Sequence, residues 1–373
     1  MMITSIRLHQ FRNYETQTLQ FGEGIHLLAG KNAQGKTNFL EALLYLSTTR
    51  SHRTNSDKDL MKEGCDSFFI EGFIQKKNKK EELKIAVNTK GKNLFIYGNP
   101  VKKVSDFIGV FNAVMFCPDD MSLFHDSPRV RRRFVDMELS KLSKTYVATL
   151  FHATKLLKER NAYLKQEHVD STYLEVLTSS LIEEEVIIIQ QRHYFLEKLL
   201  EKCKTFYKQL TKDESAFRVL YQSCIPFDKD KEVMKEALLK KYQKQLDRDL
   251  YLKQTTCGIH KEDFIFMIND KDVSTYASQG QKRSVLLALK IGMVYMIHDL
   301  IHEYPVLLLD DVFSELDASR RETLLTSLPK EVQIFISSTD TTEAKKISKI
   351  RNVNVWNVYD GHIIKGKEDI YGR

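Results

Sequence analysis

The chain has 373 residues, 42% of them hydrophobic, and a formal net charge of +7 from 57 Lys and Arg against 50 Asp and Glu. That length can bury a large core and allows two or three domains, and the small basic excess permits an anionic partner without establishing one. The five cysteines, at 65, 117, 203, 224 and 257, form no Cys-x-x-Cys pair, which argues against a zinc ribbon or a disulfide framework and for reduced thiols in the cytoplasm. Neither a signal-peptide pattern nor an apolar stretch of the roughly 18 residues needed for a membrane span is evident, so a cytoplasmic protein with no membrane partner is expected.

In chain order, Ile3 to Phe11 carries a β-like run and Ile25-His26-Leu27-Leu28-Ala29 reads as a second strand. Gly30-Lys31-Asn32-Ala33-Gln34-Gly35-Lys36-Thr37 follows directly and matches the phosphate-binding loop at every fixed position. Asn38 to Leu44 then has helix-forming composition. Such a strand–loop–helix unit turns backbone N–H groups and a helix N-terminus towards phosphates. Lys36 is expected to reach the β- and γ-phosphates of a nucleotide, and Thr37 to offer its hydroxyl to Mg²⁺.

Lys76-Lys77-Asn78-Lys79-Lys80 followed by Glu81-Glu82 reads most simply as a solvated hairpin turn before a β-like run at Leu83 to Val87. No glycine occurs from Val110 to Cys257, and that stretch is rich in helix formers. A helical arm over 130–252 is therefore expected. Beyond it, Tyr276-Ala277-Ser278-Gln279-Gly280-Gln281 opens a helical pattern, with Ser278 as N-cap and Gly280 keeping the backbone open to an anion. Val306-Leu307-Leu308-Leu309 is apolar throughout, as in a strand buried on both faces, and delivers Asp310 and Asp311 at its carboxyl end. Asp310 is expected to hold the metal ion and Asp311 to polarise the attacking water. The alternative is that the two carboxylates merely cap the next turn.

Lys36 and Asp310 stand near opposite ends of the chain, too far apart for adjacent units of a small nucleotide-binding sheet. The expectation is an α/β head assembled from both chain ends, 1–129 and 253–373, with the helical arm 130–252 inserted between them.

Ser278-Gln279-Gly280-Gln281 resembles the signature motif of ABC-type P-loop ATPases, and Ser314-Glu315-Leu316-Asp317 resembles their D-loop. Within that class the chain resembles the RecF family. The resemblance rests on Phe11-Arg12-Asn13-Tyr14, Gly35 to Ala42, Ser51-His52-Arg53, Phe116-Cys117-Pro118-Asp119-Asp120, Pro128 with Arg131 to Asp136, and Leu308 to Asp317. It implies a head like that of structural-maintenance-of-chromosomes ATPases with a shortened arm. It also implies an ATP-driven head-to-head homodimer in which Ser278 and Gly280 of one subunit close over ATP and Mg²⁺ held by the other. Weak, DNA-stimulated hydrolysis, binding to double-stranded and gapped DNA, and work with RecO and RecR in loading RecA and in the SOS response follow from the same resemblance. Where the family has Gly-Pro-His-Arg-Asp-Asp, this chain has Gly258-Ile259-His260-Lys261-Glu262-Asp263. No histidine follows Val332 to Ser338, where transporter ATPases carry a switch histidine, and Thr339 or Asp340 is the candidate substitute. The ATPase subunit of a membrane transporter and a non-hydrolysing scaffold remain alternatives.

Arg129, Arg131, Arg132 and Arg133 form the densest basic cluster and are candidates for DNA phosphates. Internal pairing with Asp126, Asp136 and Glu138 is the competing reading. Arg50 and Arg53, flanking Ser51 and His52, form a second candidate group.

Overall fold

The computed structural model describes residues 1–211, 216–339 and 342–366. They fall into two compact units. One comprises Met1–Asp120, Thr205–Asp213 and Ser284–Arg373, and the other Met121–Lys204 and Glu214–Arg283.

Two six-stranded sheets form the first unit. The antiparallel sheet runs in the order Tyr14–Gln20, Met2–Phe11, Ser67–Gln75, Lys80–Asn88, Gly91–Ile96, Asn99–Pro100. Its strands alternate buried and open positions, as period-2 patterning dictates, with Leu83, Ile85 and Val87 on the inner face. The charge run at 76–82 does include a hairpin turn, closed by Lys76 N–H donating to Lys79 O at 2.8 Å. It is not wholly solvated, however. Glu81 is buried and accepts from the Tyr97 hydroxyl at 2.6 Å.

The second sheet runs in the order His362–Lys365, Val353–Tyr359, Ile25–Ala29, Ile334–Ser338, Val306–Leu309, Ala113–Phe116. All its pairings are parallel except the hairpin that ends with His362–Lys365. The four strands Ile25–Ala29, Ile334–Ser338, Val306–Leu309 and Ala113–Phe116 are buried along their whole length, which explains their largely apolar sequences, interrupted only by His26, Ser337 and Ser338. Because they are parallel, the segments after Ala29, Phe116, Leu309 and Ser338 leave from one edge, where ligand sites of such sheets form. Helix Lys36–Thr48 touches strands of both sheets. It is accordingly buried at every position from Phe39 to Thr48.

His26 sits within this core on the strand that feeds the phosphate loop. Trp356 Nε1–H donates to its Nδ1 at 3.2 Å, so its proton is on Nε2, facing Gly22 O at 2.9 Å. Burial pulls the imidazole down to about 4 from the usual 6.5. The folded protein therefore refuses a proton that the unfolded chain accepts, and the stability this confers is full above pH 6.5 and is lost as pH falls towards 4. The shift corresponds to about 3 kcal/mol at most. His52 and His260, also lowered by burial, act in the same direction. Urea unfolding between pH 7 and 5 should show stability falling with acid, and His26→Phe should flatten that slope by about one proton. An unchanged slope would contradict the buried neutral imidazole.

Helix Gln279–Ile301 is long and apolar enough to cross a membrane, with a mean hydropathy of 1.6 over its best window. No such stretch is expected from the sequence. That window is 72% buried within the protein, which is how a core helix behaves.

The second unit carries helices Pro128–Leu142, Lys144–Tyr163 and Lys231–Leu252 and most of the 41-residue helix Ser171–Thr211. It also contains a three-stranded sheet in the order Lys271–Asp272, Asp263–Ile268, Phe217–Gln222. The strand Phe217–Gln222 lies inside the stretch expected to be all helix, and the unit's chain limits, 121 and 283, lie outside 130 and 252. Polar groups are buried among these helices in paired sets. Arg160 bonds Asp249 at 2.8 Å, Thr255 at 2.7 Å and Thr178 at 3.0 Å. Arg192 bonds Asp136 and Glu262, each at 2.7 Å.

Candidate nucleotide site and basic segments

The loop Gly30–Gly35 is held by its neighbours. Gly30 N–H donates to Ser338 O at 3.2 Å, and a Cβ at Gly30 would stand 2.2 Å from Val358 O. Gly35 has a φ of +119°, in the left-handed region that favours glycine, and a Cβ there would meet Asn13 and the Tyr14 hydroxyl within 3 Å. Tyr14 OH donates to Gly35 O at 2.9 Å, and Asn13 Nδ2 to Gln34 O at 3.1 Å. From the other side, Asp360 N–H donates to Gln34 Oε1 at 2.8 Å and Gly361 N–H to Gln34 O at 3.1 Å. Asn13 and Gln34 are thus structural parts of the loop. Only their position in Phe11-Arg12-Asn13-Tyr14 and in the loop itself signals this in the sequence.

Lys36 Nζ donates to Gly30 O at 2.6 Å and Lys31 O at 2.7 Å, which anchors the ammonium inside the loop. Burial lowers its pKa, and the nearby Asp311 and Asp310 oppose that shift. Thr37 Oγ1 donates to Asp310 Oδ1 at 3.0 Å, and Ser337 Oγ donates to the same oxygen at 2.7 Å. Burial raises the Asp310 carboxyl above its ordinary range against the pull of those two hydroxyls. Asp311 takes a left-handed backbone, with φ 51°, and its N–H donates to Ser337 Oγ at 2.8 Å. It makes no side-chain cap to the helix that follows. The structure therefore brings Lys36, Thr37, Asp310 and Asp311 together, and Ser337, absent from the sequence reading, joins them. Asp120, after the strand Ala113–Phe116, pairs with Lys290 at 2.9 Å. Lys31, Asn32 and Ala33 are exposed along the loop. Thr339 is exposed at the end of its strand, and Asp340 lies outside the described residues.

The signature segment belongs to the second unit. Ser278 Oγ accepts from Gln281 N–H at 3.2 Å, while Ser278 N–H donates to Gln281 Oε1 at 2.9 Å. This reciprocal pair is a capping box, so the helix start is rigid, with Ser278 exposed and Gly280 partly so.

Arg131 grips Asp263 with two bonds, at 2.7 and 2.8 Å, and donates to Asp126 O at 2.9 Å. Arg132 donates to Glu262 O at 2.5 Å. Internal pairing therefore holds for these two, but the carboxylate involved is Asp263, and of the expected partners only Asp126 takes part, through its carbonyl oxygen. Asp136 is taken by Arg192, and Glu138 by Lys141 at 2.9 Å. Arg129 and Arg133 are exposed. Arg131→Ala should lower stability by about 2 kcal/mol, the usual worth of hydrogen bonds to a charged group, as read by thermal unfolding. A midpoint equal to wild type would show that the pair contributes nothing.

The departures at 258–263 also acquire meaning. Ile259 N–H donates to Glu185 Oε1 at 3.1 Å, a bond that a proline could not make. The longer Glu262 reaches Arg192 at 2.7 Å, the Tyr221 hydroxyl at 2.5 Å and Ser223 Oγ at 2.9 Å.

Arg50 is exposed at the end of the phosphate-loop helix. Arg53 is exposed as well and donates to Asn38 Oδ1 at 3.1 Å. Between them Ser51 Oγ donates to the fully buried Glu41 at 2.5 Å. Glu41 also receives both arms of the Arg12 guanidinium, at 2.8 and 2.9 Å.

A phosphate loop and an Asp-Asp strand end at the same edge of a parallel sheet, one strand apart, with a capping-box signature helix in the same chain, define an ABC-type P-loop ATPase head. The description "RecF/RecN/SMC N terminal domain" matches residues 2–360. The DNA replication and repair protein RecF of Pediococcus pentosaceus is 38% identical over 99% of this chain and 100% of its own length. That of Oceanobacillus iheyensis is 37% identical over 97% and 99%. The chain belongs to the RecF family. A solved structure of the recombination mediator protein RecF-ATP in the RecFOR pathway superposes with a TM-score of 0.90 at 31% identity, covering 98% of this chain and 99% of that one. An Smc head domain from Pyrococcus furiosus, at 14% identity and a TM-score of 0.54 over 98% of this chain and 96% of that one, shares the fold.

Proposed function

We propose that this chain is an ATP-gated DNA clamp of recombinational repair. The observation that carries this reading is the meeting of Thr37 Oγ1 and Asp310 Oδ1 at 3.0 Å beside the anchored Lys36. Two hard oxygens at that spacing suit Mg²⁺, which would neutralise charge on the β- and γ-phosphates. Lys36 and the loop N–H groups bind the triphosphate, and Asp311 orients and polarises the attacking water. Ser278 and Gly280 of a second copy face the γ-phosphate, so two heads close around two ATP molecules. DNA-stimulated but slow hydrolysis then opens the dimer.

The preferred substrate is double-stranded or gapped DNA, recognised through its phosphates. Assistance to RecO and RecR in loading RecA in the cytoplasm, and a contribution to the SOS response, are proposed from membership of the family. Arg50 and Arg53 are the better DNA candidates, since Arg131 and Arg132 are engaged internally. Arg50→Ala and Arg53→Ala should each lower the log–log salt slope of duplex binding by about 0.9, while Arg131→Ala leaves it unchanged. The reverse pattern would return the contact to the 129–133 segment.

Single-turnover hydrolysis, with and without gapped duplex, tests the enzymatic part. Wild type should turn over ATP faster with DNA, and Asp311→Asn should bind ATP but stall. Equal rates in wild type and Asp311→Asn would support the non-hydrolysing scaffold instead.

A further inference from the structure

Arg53 Nη1 donates to Asn38 Oδ1 at 3.1 Å, Asn38 Nδ2 to Asn13 Oδ1 at 2.9 Å, and Asn13 Nδ2 to Gln34 O at 3.1 Å. These bonds run in series from an exposed guanidinium to a main-chain carbonyl of the phosphate loop. Their direction is fixed from both ends, because a guanidinium can only donate and a carbonyl oxygen can only accept, which leaves each asparagine a single orientation. Both ends of the series are also held in place. At the outer end Arg53 N–H donates to Ser51 Oγ at 2.9 Å, and Glu41, 4.0 Å from Arg53 Nη1, is already gripped by Arg12. At the inner end Gly361 N–H reaches the same Gln34 O at 3.1 Å, and a Cβ on Gly35 would stand 2.7 Å from Asn13 Nδ2.

The carbonyl at the end of the series belongs to the Gln34–Gly35 peptide. The N–H of that peptide, on Gly35, is one of the backbone donors with which a phosphate loop cradles phosphates. A donor on a peptide oxygen polarises the amide and strengthens its N–H, and hydrogen bonds in series polarise one another. We propose that Asn38 and Asn13 are positioning residues of the phosphate loop, relaying the charge of Arg53 to the Gln34–Gly35 peptide so that the loop holds ATP more tightly. This rests on the nucleotide reading above. The relay ends on the loop's own carbonyl, so it requires no contact between these three side chains and ATP.

The test is a double-mutant cycle on ATP affinity, read by titration with Mg-ATP in the absence of DNA, for Arg53→Ala, Asn38→Leu and the two together, with thermal midpoints measured alongside. Leucine keeps the bulk of asparagine but neither donates nor accepts. Asn38→Leu should weaken ATP binding about 10-fold and Arg53→Ala about 3-fold, the range spanned by single hydrogen bonds. In the Asn38→Leu background Arg53→Ala should add nothing, because the relay is already cut. Arg53→Lys, which keeps a charged donor, should restore most of the affinity that Arg53→Ala loses. An Arg53→Ala penalty as large in the Asn38→Leu background as in wild type would overturn the proposal, since the charge would then act on ATP through space. Wild-type affinity in Asn38→Leu would overturn it as well. Should Asn38→Leu lower the midpoint, Asn13→Ala paired with Arg53→Ala supplies the same cycle one bond further in. A wild-type protein that binds no ATP would instead sink the nucleotide reading on which the proposal stands.

Discussion

Lys36→Met should abolish ATP binding, with an affinity loss of at least about 100-fold, or roughly 3 kcal/mol, the scale of a charge-assisted contact to phosphate. Methionine keeps the length of the apolar stem, so the buried part of the side chain is still filled. What disappears is the ammonium that Gly30 O and Lys31 O hold in the loop at 2.6 and 2.7 Å. The charges that act most on it are those of Asp311 and Asp310. Removing the cation therefore leaves the triphosphate facing two carboxylates. Lys36→Arg should bind ATP but hydrolyse it poorly, since the planar fork cannot occupy the place of a compact ammonium. Isothermal titration with ATP and Mg²⁺ reads both variants. Undiminished affinity in Lys36→Met would remove the site assignment.

The second large effect is on stability. Arg192 is almost wholly buried and gives 2.7 Å bonds to both Asp136 and Glu262, with further bonds to Tyr146 OH at 3.1 Å and Ile259 O at 3.2 Å. Arg192→Leu would remove the ion-pair partner of the fully buried Glu262 and of the partly exposed Asp136. Asp136 would keep the Tyr146 hydroxyl, and Glu262 would keep Tyr221, Ser223 and the Cys224 N–H, so both would retain hydrogen bonds but lose their direct ion pair, with Arg132 the cation that still acts on them. Breaking a buried pair in this way costs about 3–5 kcal/mol. For a unit of this size the thermal midpoint should fall on the order of 10 °C. The double change Arg192→Leu with Glu262→Gln should recover part of the loss, because one stranded charge is removed. A midpoint unchanged in Arg192→Leu would mean that solvent reaches these carboxylates.

The candidate nucleotide site was legible because its parts are written locally. A strand, a glycine-rich loop and a helix succeed one another between Ile25 and Thr48, and Val306 to Asp311 writes a buried strand with its carboxylates in one unbroken run. The capping box at Ser278 and Gln281 is likewise a short-range pattern. The groups that complete these elements are remote in sequence, and no local pattern announces them. Ser337 reaches Asp310 only because Ile334–Ser338 pairs with both neighbouring strands. Asp263 meets Arg131, and Glu262 meets Arg192, through the packing of helices against a small sheet.

The strand Phe217–Gln222 was missed for a different reason. Absence of glycine favours helix there, although Phe217, Val219 and Tyr221 alternate along Phe217-Arg218-Val219-Leu220-Tyr221-Gln222 as a strand requires. The arginine cluster shows the limit of charge as a guide: an arginine beside other arginines reads as a phosphate site until its carboxylate appears from another part of the chain.

ATP is proposed to join two copies of this head through the signature segment, and sedimentation velocity reads that assembly. Wild type should sediment as a monomer without nucleotide and as a dimer with Mg-ATP and duplex DNA. Ser278→Arg should bind ATP normally but stay monomeric, because a bulky cation would occupy the helix start meant for the partner's γ-phosphate. The accompanying loss of the cap costs only about 1 kcal/mol, too little to unfold the protein. A Ser278→Arg protein that still dimerises with Mg-ATP and DNA would exclude the signature segment from the dimer.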